Sequence, residues 1–248
     1  MDVFEVVILS LAAFSTSALT AVVGAGGGTA LIALMLLVMP PAAAIPAHGV
    51  VQLASNVTRS WLLRRHMAWP IIWRFALLLP VGVALGLWLF QGLPAAIVQL
   101  LIGGFVLLTL ALPYFSRFGI KETPLWAFLP VGFITGCLNM IVGVIAPVLG
   151  AIIVRRDLKK EEIVGTLGFF GLTGNLLKIA GFTLVGFSFA DYWPLLAIMV
   201  PAAIFGARVG RAFLSKLDER VFLKCFRFML GALALKLIII DGLSAILA

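Results

Sequence analysis

The sequence predicts an all-α integral membrane protein with about eight to ten transmembrane or half-membrane helices. Three observations carry this. The 248 residues are 63% hydrophobic and only 11% charged, with mean hydropathy +1.20; a soluble domain has about 45–50% apolar and about 25% charged residues. The apolar residues gather into ten segments parted by short polar breaks. Of the 18 Lys and Arg, 15 fall in or close to alternate breaks, on one side of the membrane. The solvent for most of this chain is a bilayer.

A full span needs about 20 residues rising about 1.5 Å each. Segment 3–23 meets that length. It opens Met-Asp-Val-Phe-Glu, without the basic start of a secretory signal, so it is expected to stay as a membrane helix. Segment 25–40 is marginal and follows a Gly-centred break, Gly24-Ala-Gly-Gly-Gly28. Segments 44–63, 71–91 and 95–115 complete a first half, 1–118. The second half, 119–248, holds 124–142, 143–154, 163–186, 192–214 and 221–247. Segment 143–154 is too short to cross alone and carries Gly143 and Pro147. Stretches 3–40 and 124–154 therefore each read as a helix followed by a shorter or broken one. Each either crosses fully or turns inside the membrane, where protein or a cavity must satisfy the freed backbone groups.

The basic residues give the topology. Arg64, Arg65 and Arg74 share one side with Arg117 and Lys121, with Arg155, Arg156, Lys159 and Lys160, and with Arg208, Arg211, Lys216, Arg220, Lys224 and Arg227. By the positive-inside rule this side is the cytoplasm and both termini lie outside. Net charge +8 thus reflects membrane orientation and headgroup contact, not nucleic acid. Cys137 and Cys225 lie in apolar stretches without metal-ligand spacing and read as packing residues.

Sliding the chain on itself by 119 aligns Thr16 with Thr135, Gly24 with Gly143, Gly49 with Gly168, Asn56 with Asn175 and Arg59 with Lys178. Each half has five segments, an odd number, so the second enters the membrane upside down. Two inverted repeats with Gly-rich helix breaks place a ligand site near the midplane where they meet.

Chemistry is concentrated in a few residues. His48, Gln52, Ser55, Asn56 and Arg59 form one polar stripe on segment 44–63. Facing lipid it would be expensive: a charge at the bilayer centre costs about 2.5–3.5 kcal/mol on insertion scales. The stripe must face the bundle interior or a wet cavity. Its counterpart is Gly171, Gly174, Asn175 and Lys178. Together they offer amide donors, two cations and space, which suits a small oxyanion. Arg59 can instead snorkel to headgroups, and Asn56 and Asn175 can instead link helices. The break Gly26-Gly27-Gly28-Thr29 either presents the bare N–H groups of a new helix, starting near residue 29, to an anion, or only lets helices pack closely. Thr20, Thr135 and Asn139 flank the breaks as further donors. His48 is either a satisfied packing residue or a proton-coupling group. Every Asp and Glu falls at a segment end or in a loop, which argues against a cation carrier. No catalytic motif, paired carboxylate or metal spacing is present, so no enzyme, metal or cofactor is expected.

The first half, with Gly24-Ala-Gly-Gly-Gly-Thr29, Pro46, Asn56 and Trp61, resembles the sulfite exporter TauE/SafE family of bacterial membrane proteins. The second does so with Thr135-Gly136, Pro147, Thr166, Phe170, Asn175 and Lys178, the likeness covering about residues 5–240. The second half departs at its break, with Val-Ile-Ala where the first has Ala-Gly-Gly. The resemblance implies a carrier of small sulfur-containing anions, such as sulfite or organosulfonates, outward across the bacterial inner membrane. Its expected partners are the anion and the lipid bilayer; the sequence carries no signal for an oligomeric state. An anion channel with the same lining, or a membrane enzyme or assembly factor handling sulfur compounds, are the rival readings.

Overall fold

A computed structural model describes residues 3–23, 26–115, 123–144, 146–153, 158–213, 228 and 230–247. Gly24, Ala25, Cys225 and most residues of the basic breaks lie outside this set, as does Ile145 of the second break. Among the described residues the chain forms ten helices and no strand. They are α1 (Val3–Val23), α2 (Gly27–Met35), α3 (Pro41–Leu62), α4 (Trp69–Gly92), α5 (Ala95–Phe115), α6 (Phe128–Ile141), α7 (Ala146–Ile153), α8 (Lys160–Leu184), α9 (Trp193–Phe213) and α10 (230–247). Each apolar segment holds one helix, because hydrocarbon leaves a backbone no partner but itself. Four helices are long and apolar enough to span: α1, α4, α8, and α9 with the turn before it. With 22 residues α3 has the length, but its polar stripe dilutes its hydropathy.

The outer surface is lipid-like. Phe4, Leu11, Leu77, Phe205 and Ile240 are exposed. All six Trp (61, 69, 73, 88, 126 and 193) are exposed and lie near helix ends, where amphipathic rings favour the membrane–water interface. Arg64 stacks over Trp61 at 4.5 Å.

Helices in lipid gain nothing from hydrophobic association, so they join where small residues let backbones meet. Gly82 and Gly86 of α4 sit against the carbonyls of Phe133 and Cys137 on α6, and Gly132 and Gly136 of α6 sit against those of Phe75 and Leu79 on α4. The pairs ascend together, so these helices run parallel. On the opposite flank Gly206 and Gly210 of α9 meet the carbonyls of Phe14 and Ala18 on α1, also in parallel. A Cβ at any of these six glycines would collide with the facing backbone. Between the two pairs α3 and α8 run antiparallel: Gly49 meets Lys178, Gly171 meets Asn56 and Gly168 meets Ser60. Phe75 stacks on Phe170 at 3.8 Å, joining α4 to α8. Beyond the end of α3, the backbone N–H of Ala68 donates to Thr166 Oγ1 at 3.0 Å, fastening that turn to α8.

The two short helices follow the breaks. α2 has 9 residues and α7 has 8, about 12–14 Å each and too short to cross. Nearly all of α2 is buried, with Gly27–Ala33 and Met35 inside the bundle. The expected helix start near residue 29 is corrected: α2 begins at Gly27, and Ala30 N already donates to Gly26 O at 3.1 Å. Among the described residues of this stretch only Gly26 has a left-handed backbone, φ 100, and the glycines after it are helical. Gly143, φ 85, ends α6 in the same way. Only glycine adopts such angles without penalty.

The expectation for acidic residues is corrected once. Asp241 lies inside α10, in a π-helical turn over Leu237–Leu243, and accepts from Lys236 Nζ at 2.8 and 2.9 Å. Five residues apart, the two share a face only because that turn is wound with i→i+5 bonds.

Candidate functional site

A cavity of about 60 Å³ lies between α3 and α8, closed by the two breaks. One water molecule needs roughly 10–15 Å³ of such space, so a small ion with water fits. From α3 the stripe contributes His48, Gln52, Asn56 and Arg59. From α8 come Phe170, Gly171, Gly174 and Asn175. The breaks contribute Gly26 and Gly28 on one side and Gly143, Val144 and Ala146 on the other. Thr20, Thr135 and Asn139 complete the polar wall; Leu149 and Leu167 are apolar.

The glycines make room for the amides. A Cβ on Gly171 would strike the Asn56 amide, and one on Gly28 would come within 3.0 Å of Gln52 Nε2 and 3.2 Å of Val144. The amides are held in turn. Asn139 Nδ2 donates to Gly174 O at 3.2 Å, Asn175 Nδ2 to Gly171 O at 2.7 Å, and Arg59 Nη2 to Asn56 Oδ1 at 2.6 Å. His48 Nε2 lies 3.0 Å from Gly28 O. A carbonyl only accepts, so Nε2 carries a hydrogen and pins α2 to α3.

Both short helices begin at this cavity. α2 starts at Gly27 with no side-chain cap, and α7 starts at Ala146, itself on the wall. Helix starts leave N–H groups unpaired within the helix and carry the positive end of its dipole. Arg59 adds a cation, and no carboxylate among the described residues lines the cavity. The electrostatics favour an anion.

Most sequence candidates come together here: Gly26, Gly28, His48, Gln52, Asn56, Arg59, Gly174 and Asn175 all line the cavity. Three stand elsewhere. Gly27 packs against the Thr16 carbonyl and the Thr20 hydroxyl on α1. Thr29 is buried off the wall, its hydroxyl without a partner. Lys178 is fully buried behind the second break, where Nζ donates to Gly143 O at 2.5 Å. Spacing put Lys178 on the face of Asn175 but not at its height, and the chain spends this amino group on the break carbonyl. The apolar lining residues Val144, Leu149 and Leu167 had no signal in the sequence, being indistinguishable from core. Among the described residues no cluster of three or more His, Cys, Asp or Glu could hold a metal.

No curated protein and no solved structure matches the chain. The family model described as Sulfite exporter TauE/SafE matches residues 9–237, nearly the whole length. On that match, and with its several long apolar helices, this chain belongs to the sulfite exporter TauE/SafE family of membrane transport proteins.

Proposed function

We propose that the protein is a secondary transporter that exports a small sulfur-containing anion, sulfite or an organosulfonate, across the bacterial inner membrane. One observation carries the reading: the starts of α2 and α7 and the Arg59 side chain converge on a cavity that, among the described residues, no carboxylate lines. Arg59 supplies charge; Gln52, Asn56 and Asn175 orient the anion; Gly26 and Gly28 bring backbone donors close. Lys178 acts one step back, fixing the second break through Gly143. His48 is a candidate proton-coupling group, since its Nδ1 is buried without a partner. Nothing in this wall pairs a nucleophile with a base, which weighs against an enzyme. In this reading the basic breaks face the cytoplasm and both termini the outside.

The halves 1–118 and 119–248 would be inverted repeats. The glycine contacts support this: Phe14 and Phe133 are 119 apart, as are Ala18 and Cys137, and each of the four receives a glycine on its carbonyl. Such a relation puts a site between the halves in carriers.

Equilibrium binding of sulfite to the purified protein, and its flux in proteoliposomes, test the proposal. Arg59→Gln removes a charge-assisted contact of about 1.5–3 kcal/mol. Affinity should fall about 10- to 150-fold. Unchanged affinity overturns the site; flux that never saturates, with single-channel currents, makes the protein a channel; chemical conversion of sulfite makes it an enzyme.

A further inference from the structure

The lining of the central cavity divides by element. α3 brings polar side chains, from His48 to Arg59. The second break and α7 bring Val144, Ala146 and Leu149, and the stripe on α8 adds Leu167 and Phe170. Ala146 and Leu149 are three apart and share one face of α7. A Cβ on Gly150 would stand 3.9 Å from Leu167 Cδ1, so Leu167 packs on α7 beside Leu149. Both leucines are buried. At the offset of 119 that aligns Asn56 with Asn175, Leu167 takes the place of His48, and Gly171 that of Gln52. Where α3 offers polar side chains, α8 offers leucine and bare backbone.

Leucine cannot hydrogen-bond an oxyanion. Oxygen laid against it loses water and gains no partner. Carbon laid against it gains about fourfold in affinity per CH₂. Donors on one set of elements and leucine on another therefore match an anion with a charged end and an apolar end. Room sets the length of that apolar end. About 60 Å³ holds roughly four to six water-sized atoms, at roughly 10–15 Å³ each. A sulfonate group takes four, its sulfur and three oxygens, which leaves one or two carbons. Phe170 yields no more space, since it is stacked on Phe75 at 3.8 Å. The two leucines border what remains.

We propose that Leu149 and Leu167 are specificity-determining residues: they limit the anion to one or two carbons behind a sulfonate head held by the α3 donors. This rests on the central cavity being the anion site, and the two claims fail separately. The leucines rank anions by their apolar end; the donors decide whether an anion binds at all.

The test titrates the purified full chain with sulfite and with methane-, ethane- and butanesulfonate by calorimetry. Ethanesulfonate should bind about fourfold more tightly than methanesulfonate, the gain of one buried CH₂. Butanesulfonate should bind about 5- to 150-fold less tightly than ethanesulfonate, because it overfills a packed wall. Leu167→Ala removes three carbons from that wall and should reverse the order of ethane- and butanesulfonate. Leu149→Ala should do the same. A leucine that only supports the fold would lower Tm and leave the order of the sulfonates as it was. If the alanine variants fail to fold, Leu167→Val removes one carbon and should narrow the gap between ethane- and butanesulfonate about fourfold. Should neither sulfite nor any sulfonate bind the unaltered protein, the central reading falls, and the role of the leucines with it. Three results refute that role alone: sulfite binding without sulfonate binding, butanesulfonate binding as tightly as ethanesulfonate to the unaltered protein, or an order and a gap that no leucine variant changes.

Discussion

Replacing Lys178 by Met separates two roles that the sequence alone left merged. Methionine keeps much of the length and apolar bulk, so the buried channel for the side chain stays filled. What disappears is the bond from Nζ to Gly143 O, at 2.5 Å. Gly143 has φ 85 and ends α6, so its carbonyl sits at a turn. A buried acceptor left without its donor costs about 1–3 kcal/mol. For a chain of 150–250 residues each kcal/mol shifts Tm by about 2–4 °C. The ligand-free protein should therefore melt about 2–12 °C lower in a fixed detergent. Sulfite affinity should fall by less than in Arg59→Gln, because Lys178 holds the wall and does not touch the anion. Thermal unfolding with and without sulfite, followed by a binding titration, reads both quantities. An unshifted ligand-free Tm together with abolished binding would refute this assignment and return Lys178 to the anion.

Two further substitutions probe packing and space. Gly28→Ala puts a methyl 3.0 Å from Gln52 Nε2 and 3.2 Å from Val144, inside the cavity wall. Sulfite binding should weaken while Tm moves little, as a titration beside a melting curve will show; unaltered affinity would exclude Gly28 from the site. Gly82→Ala drives a Cβ into the Phe133 carbonyl. Overpacking of this sort costs about 1–3 kcal/mol, occasionally more, so the yield of monodisperse protein on size exclusion should drop, and an undiminished yield would show that α4 and α6 can part cheaply.

The helices were legible in the sequence because lipid imposes a single rule on the backbone. Segments 3–23 and 95–115 coincide with α1 and α5, seven others differ from their helices by a few residues at either end, and the start of 221–247 lies outside the described residues. The α3 stripe was legible for a related reason: polar residues in hydrocarbon need an interior to face. The bond of Lys178 to Gly143 was not legible because spacing gives a face, not a partner 35 residues away in sequence. The start of α2 was misplaced because five nearly identical residues, Gly24–Gly28, do not say which one bears the left-handed backbone. Gly26 does, and Gly27 is instead consumed by α1. The pairing of Lys236 with Asp241 was invisible because five residues separate opposite flanks of an ordinary helix.

The glycine seams stitch the molecule crosswise. α1 comes from 1–118 and its partner α9 from 119–248; α4 and α6 are divided in the same manner. Carbonyls seated against bare Cα atoms leave no slack for sliding. The two sequence halves are thus not two bodies that can rock about a hinge between them. They form a shared scaffold, and α2 and α7, with the facing stretches of α3 and α8, are threaded through it.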